Sequence, residues 1–477
     1  ALNAYHARIT IFRGVCMSGP NLNYLPLLQQ VCNLPTAPYA EQHVIAFLLA
    51  WAQADHRRQH LRITRDPAGN VYLHYRHGHP RNAAGKPQAP LIIEAHMDHP
   101  GFLLTEITTD GRLHARFRGG VKPSHFTDAI VGFWQPDLPT AVPTHPIEPC
   151  LTPRGHWLPA RVLDAVNVKH EQGDYIAVTL EWISPPATLP APVGTLGMWH
   201  LPDAAVLDGN GKGQNELFCA RVCDDLAGVA AGLCLLDELI QQKAEARVTL
   251  FCSRAEEVGF AGVIAAARAG WISKRSPVIG LETSKASLPG QSGAAQGEGP
   301  VVRVADKSGV FSAGLTHFLC QAAAGIADED PHFRWQRKLM DGGTCNTSAF
   351  IAYGYDSASL TLPLGNYHNM ANVEDVEAHH SGGCDFLASQ PPAKRSGSTP
   401  PPTPNVPFAG PGIASETIHL GDFAQLVRIL VAVVRKYPTY QPRFGIMRER
   451  LEKLHATEQQ AILYATSDSS PAAAKKS

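Results

Sequence analysis

The chain has 477 residues, enough for about two or three domains, and its Lys+Arg total of 41 almost cancels Asp+Glu at 42. That balance, with a formal net charge of -1, leaves no global field for nucleic acid or an anionic membrane surface. No apolar run reaches the roughly 18–20 residues that a membrane-spanning helix needs.

The N-terminus is too polar to hold the apolar core of a signal peptide, so residues 1–21 are expected to be a disordered leader. From 22 to 54 the apolar residues Leu25, Leu28, Val31, Val44, Phe47, Leu48 and Trp51 fall at helical spacing. A turn at 66–70 precedes an alternating strand at 71–75. Residues 91–95 (LeuIleIleGluAla) form a continuous apolar run, as expected of a strand buried on both faces. Between 103 and 205 the pattern changes to short alternating strands with many Pro and Gly, the clearest at 162–168 and 175–182, which predicts an inserted small β-domain. A helix with an acidic start follows at 224–239. Buried strands are expected at 247–252, 277–281 and 358–362, and an amphipathic helix at 416–436. The fold class expected from this alternation is α/β: a three-layer, mostly parallel sheet domain carrying an inserted β-barrel-like domain. The main domain would comprise 22–102, 206–375 and 413–465. The Pro/Ser-rich stretch 376–412 and the tail 466–477 read as disordered. Ten cysteines without a CxxC pair suit reduced thiols and a cytoplasmic location.

Chemistry-bearing residues gather where apolar strands end, the place where parallel α/β sheets bind ligands. His96-x-Asp98 closes the 91–95 run; alone it is a weak signal, equally satisfied by a hydrogen-bonded turn. Asp224-Asp225 opens a helix and could simply favour the positive end of its dipole. Glu256-Glu257 is sharper, because two adjacent carboxylates beside an apolar strand repel each other unless a cation is present. Glu282 closes another apolar strand, and His368 sits in a loop after a further one. These positions carry only His, Asp and Glu, the ligand types of a borderline-to-hard divalent pair. GlyAsnGlyLysGly (209–213) lacks the spacing of a phosphate-binding loop, and no nucleophile elbow appears.

At these residues the chain resembles the tetrahedral aminopeptidase family, the glutamyl and deblocking aminopeptidases among the di-zinc exopeptidases. AlaHisMetAspHisProGlyPhe (95–102), the acidic pair of ArgValCysAspAspLeuAlaGlyVal (221–229), and AlaGluGluValGlyPheAlaGly (255–262) carry the likeness. GlyGlyThr (342–344) and AsnTyrHis (366–368) extend it. The Asp expected after GlyGlyThr is displaced, leaving Cys345-Asn346, and Leu226 stands where Arg is usual.

The resemblance implies a metallopeptidase with two divalent ions per chain, zinc first, with cobalt or manganese as alternatives. His96, Asp224, Glu257, Glu282 and His368 would be the ligands, with His96 and Glu282 on separate metals and Asp224 between them. Glu256 would be the general base and Asp98 the orienting acid. It further implies peptide substrates cleaved at the N-terminal residue, no nucleic-acid or membrane partner, and a homo-oligomer, dodecameric in the family. Two other readings compete: an N-acyl amino acid deacylase with the same metal centre, and a silent homologue serving as an interaction module.

Overall fold

The computed structural model describes residues 24–82, 84–137, 151–171, 173–184, 192–208, 216–287, 293–340, 342–373, 411–442, 448 and 451–456. The expected leader, the 209–213 segment, the tail and all but the last two residues of the 376–412 stretch lie outside these.

Two helices, α1 (Leu25–Cys32) and α2 (Gln42–Gln53), stand where one helical stretch was expected. Pro35 and Pro38 remove amide donors between them and disfavour helical backbone before each ring. A hairpin of β1 (Leu61–Arg65) and β2 (Val71–His77) leads to β3 (Leu91–His96), buried at every position. Six strands then close into a barrel: β4 (Gly101–Ile107), β5 (Leu113–Arg118), β6 (Ile130–Pro136), β7 (Gly155–Val168), β8 (Tyr175–Trp182) and β9 (Leu196–Trp199). Phe102, Phe117, Phe126 and Trp199 fill the barrel edge-to-face, with centroid distances from 4.8 to 6.1 Å.

The chain returns through β10 (Ala205–Asp208), β11 (Glu216–Ala220), α3 (Leu226–Gln241), β12 (Ala246–Ser253), α4 (Ala261–Ala269), β13 (Val278–Lys285) and β14 (Val301–Arg303). A two-residue pair, β15 (Ala305–Asp306) and β16 (Gly309–Val310), precedes α5 (Ala313–Glu329), β17 (Gln336–Lys338), α6 (Asn346–Ala352) and β18 (Ser357–Leu364). Last come β19 (Met370–Ala371), β20 (Gly412–Ile413), β21 (Glu416–His419) and α7 (Leu420–Lys436).

The main sheet has eight strands in the order β1-β2-β12-β3-β13-β18-β14-β17. Its centre, β12-β3-β13-β18, is parallel, while β2 and β14 join it antiparallel on either side. One face packs on α1, α3, α5 and α7 through the larger core; the other packs on α4 and α6 through Val263, Ala266 and Phe350. The result is the three-layer α/β fold with a barrel inserted between β3 and β10. The helix expected at 416–436 begins only at Leu420, because Glu416–His419 pairs antiparallel with β11 instead. Within α7, Leu420, Phe423, Leu426, Val427, Leu430 and Val434 form the buried stripe.

Candidate metal centre

Strand alternation sets which residues reach the site. On β3, Leu91, Ile93 and Ala95 enter the larger core and Ile92 the smaller, so Glu94 and His96 share the side of Ile92. On β13, Ile279 and Leu281 face the larger core, which turns Glu282 to the same side as His96. Parallel register sets Ser253 opposite His96 and Gly280 opposite Glu94, bringing the ends of β12 and β3 level with Glu282 inside β13. The Glu256-Glu257 pair lies just past the end of β12.

His96, Asp224, Glu256, Glu257, Glu282 and His368 converge on one cleft of about 170 Å³. Asp224 is its pivot: Oδ1 lies 3.3 Å from His96 Nε2, and Oδ2 lies 3.6 Å from His368 Nε2. His96 Nε2 is also 3.7 Å from Glu282 Oε1, and His368 Nε2 is 3.3 Å from Glu257 Oε1. Three groups of potential ligands result, His96-Asp224-Glu282, Asp224-Glu257-His368 and His96-Glu256-Glu257, each with its atoms within 4.8 Å of one another. Asp224 belongs to the first two. His96 and Glu282 thus share a group, where the resemblance put them on separate metals; the parallel pairing of β3 with β13 brings Glu282 level with His96 at the end of β3.

Asp224 Oδ1 is buried without a hydrogen-bond partner, an expensive state for a carboxylate oxygen. Together with the His, Asp and Glu donor set, this fits borderline divalent cations. Burial opposes charge on both histidines, yet the Asp224, Asp98 and Glu282 carboxylates hold His96 well above its ordinary pKa. Glu257 and Asp224 do the same for His368. Burial would raise the Asp224 pKa, but His368 and His96 pull it well below the usual carboxylate range. Glu256 goes the other way: burial, then the charges of Glu282, Glu257 and Asp98, raise it far above that range despite His96.

The surrounding residues hold backbone rather than cleft. Asp98 accepts the amides of Glu256 at 2.9 Å and Glu257 at 3.1 Å, while its carbonyl oxygen lies 3.0 Å from His96 Nδ1. The doubled acid divides its tasks. Asp224 points into the site, and Asp225 caps α3 by accepting from Gly228 and also takes the His96 amide, both at 3.2 Å. A Cβ at Gly228 would lie 2.1 Å from Asp225 Oδ1, so the cap requires glycine there.

Three supporting residues were not singled out from the sequence. His99 joins the Asp224 carbonyl, 2.7 Å from Nδ1, to Asn369 Oδ1, 2.9 Å from Nε2. Asn369 donates to the carbonyls of Arg221 and Ala414. Glu416, fully buried on β21, accepts from Cys223 at 2.7 Å, Asp224 at 3.0 Å and His368 at 2.9 Å. Burial and then the Asp224 charge push its pKa up to about 8, against the Asp224 and Cys223 amides. His368 needs such a hold, because Asn366, His368 and Asn369 all have positive φ, a conformation costly for residues other than glycine. His99 was visible in the HisMetAspHis string, three positions after His96; Glu416 had no local signal.

Residues 203–381 match the model of the family described as M42 glutamyl aminopeptidase. Among solved structures, an aminopeptidase from the archaeon Desulfurococcus kamchatkensis superposes with a TM-score of 0.59 at 17% identity, covering 87% of this chain and 95% of its own. The TET1 peptidase of Pyrococcus horikoshii gives a TM-score of 0.57 at 17% identity, with 86% and 99% covered. A TET aminopeptidase from a marine sediment Thaumarchaeota archaeon gives 0.56 at 15% identity, with 87% and 97% covered. At these identities the structures establish a shared fold. No curated protein matches the chain by sequence.

Proposed function

We infer that the chain is a metal-dependent aminopeptidase of the M42 kind, a family assignment supported by the match over residues 203–381 and by the shared fold. The observation that carries the site is Asp224, whose two oxygens face two histidines in two overlapping groups of ligands. His96, Asp224 and Glu282 would hold one divalent cation and Asp224, Glu257 and His368 the other, with zinc the first choice. When bound, such a pair lowers the pKa of water and polarises a peptide carbonyl.

Glu256 supplies the base: it takes the proton from the attacking water and returns it to the departing amine. Asp98 fixes the pair of amides at Glu256 and Glu257, so the base and a ligand keep one relative position. The cleft is smaller than the 300–1,000 Å³ usual for ligand pockets, which suits one terminal residue rather than a length of chain. Neither the N-acyl deacylase nor the silent-homologue reading is favoured by the family match.

Expected of Glu256→Gln is full metal content with turnover reduced by about 10²- to 10⁴-fold. Undiminished hydrolysis of aminoacyl-anilides by that variant would remove Glu256 as the base. Greater activity of the unaltered protein on N-acyl amino acids than on anilides would restore the deacylase. A cytoplasmic homo-oligomer completes the proposal. The Pyrococcus horikoshii relative assembles into a tetrahedron or an octahedral shell, and light scattering would decide the state of this chain.

A further inference from the structure

We propose that Glu41, paired with Arg254, is the positioning residue of the general base, acting through the amide next to Glu256. The inference rests on the reading of Glu256 as that base and adds what keeps it in place.

Glu41 stands at the N-terminal end of α2, where a carboxylate would ordinarily cap its own helix. It makes no such bond. The side chain is fully buried, and its Oε1 accepts the amides of Ala255 and Tyr39, both at 3.1 Å. Ala255 precedes Glu256, and Asp98 takes the next two amides, those of Glu256 and Glu257. Two buried carboxylates thus hold three consecutive amides. The turn needs holding, because Ala255 has a φ of 54°, a conformation costly for residues other than glycine.

Arg254 completes the arrangement. Its Nε and Nη2 both donate to Glu41 Oε2, at 2.8 and 2.7 Å, and its Nη1 donates to the Ala68 carbonyl at 2.9 Å. Its own amide donates to Asn70 Oδ1 at 3.0 Å, so backbone and side chain of the residue before Ala255 are both fixed. Burial and the Asp98 charge raise the Glu41 pKa, and Arg254 opposes them. The guanidinium therefore lets two neighbouring carboxylates share one turn, and an ionised Glu41 is the stronger acceptor.

The same connection between α1 and α2 reaches the other acidic motif. Thr36 Oγ1 donates to the carbonyl of Met97, which lies between His96 and Asp98, at 2.6 Å. Helix α2 anchors the connection by burying Val44, Phe47, Leu48 and Trp51 in the larger core. Residues 36–41 thus brace the turns at Met97 and Ala255 against one helix.

The test is kcat, KM and bound metal of the full metal-loaded chain on leucyl anilide for Glu41→Gln, alone and combined with Glu256→Gln. Gln keeps an oxygen for the Ala255 amide but loses the charge that Arg254 holds. We expect kcat to fall about 10- to 100-fold, the scale of a small misplacement of a catalytic group, with KM and metal content unchanged. In the Glu256→Gln background the same change should cause no further loss, because a residue that acts by placing the base then has nothing to place. An unaltered kcat, an equal loss in both backgrounds, or a loss matched by lost metal overturns the proposal. If Glu41→Gln fails to fold, Arg254→Lys replaces it, since that side chain is 26% exposed and Lys cannot reproduce the paired donors. The same three outcomes then decide. Undiminished hydrolysis by Glu256→Gln alone would remove the base and the proposal together, whereas the expected loss there beside a normal Glu41→Gln removes the proposal alone.

Discussion

The two halves of the site are built by different means. His96 ends β3 and Glu282 lies within the adjacent parallel β13, and the ladder that pairs the two strands determines their alignment. Asp224 and His368 stand on turns. Their backbones are fixed by buried side chains from elsewhere: Glu416 takes both amides, while His99 and Asn369 tie the Asp224 carbonyl to the loop at 369. A sheet distributes the work of positioning over many backbone hydrogen bonds, whereas a clamp concentrates it in a few side chains. The turn half should therefore be the fragile one.

The largest effect should come from the residue common to both halves. Asp224→Asn removes the charge shared by the two groups, and affinity for both ions should fall by more than about 100-fold, measured by titration with metal analysis. Two ions retained at full affinity would break the shared-carboxylate reading. Next, Glu416→Ala leaves three buried amides without an acceptor, at about 1–3 kcal/mol each. Metal affinity should fall about 10- to 100-fold, more at the His368 end than at the His96 end, and calorimetric melting should show the lost stability. Under the strand half, Ser253→Ala deletes the 2.7 Å hydrogen bond to Glu94 and the 3.1 Å one from Asn346, whose amide keeps Glu94 as acceptor, and should cost only about 1–2 kcal/mol with metal binding little changed. Equal losses in these two variants would erase the distinction.

The smallest expected effect is a pH slope at the foot of the turn half. Asp422, in the first turn of α7, accepts the amides of Gly297 and Gly299, and burial pushes its pKa up from 3.8 to about 7. A carboxyl with a raised folded pKa contributes stability that is complete below the unfolded value and lost as pH rises through the folded one. Denaturant titrations between pH 4 and 7 should therefore show stability declining with pH, by at most about 1.4 kcal/mol per unit from this group. Asp422→Asn should flatten that slope.

This division also explains what could be read in advance. The strands at 91–95 and 277–281 were legible because apolar runs lead directly to His96 and Glu282, and the one at 247–252 because the Glu256-Glu257 pair follows it closely. The barrel was legible from alternation between 103 and 205. Asp224-Asp225 supported both a capping and a ligand interpretation, and the structure divides these between the two residues. The grouping of His96 with Glu282 was not legible, since strand neighbours follow from the order of the sheet and not from order along the chain. Glu416 was taken as the start of a helix because the amphipathic spacing of α7 extends backwards through Ile418. Nothing local marks a carboxylate whose partners lie 48 and 192 residues away.

The late position of Glu416 bears on how the enzyme is made. A nascent chain that has emerged only as far as residue 373 already contains every proposed ligand, but not the carboxylate that receives the Asp224 and His368 amides. Synthesis must continue past β21 before those two side chains are held in register. The hydrolytic centre thus matures after most of its parts have been translated, which delays competence to cut peptides until the chain is almost finished.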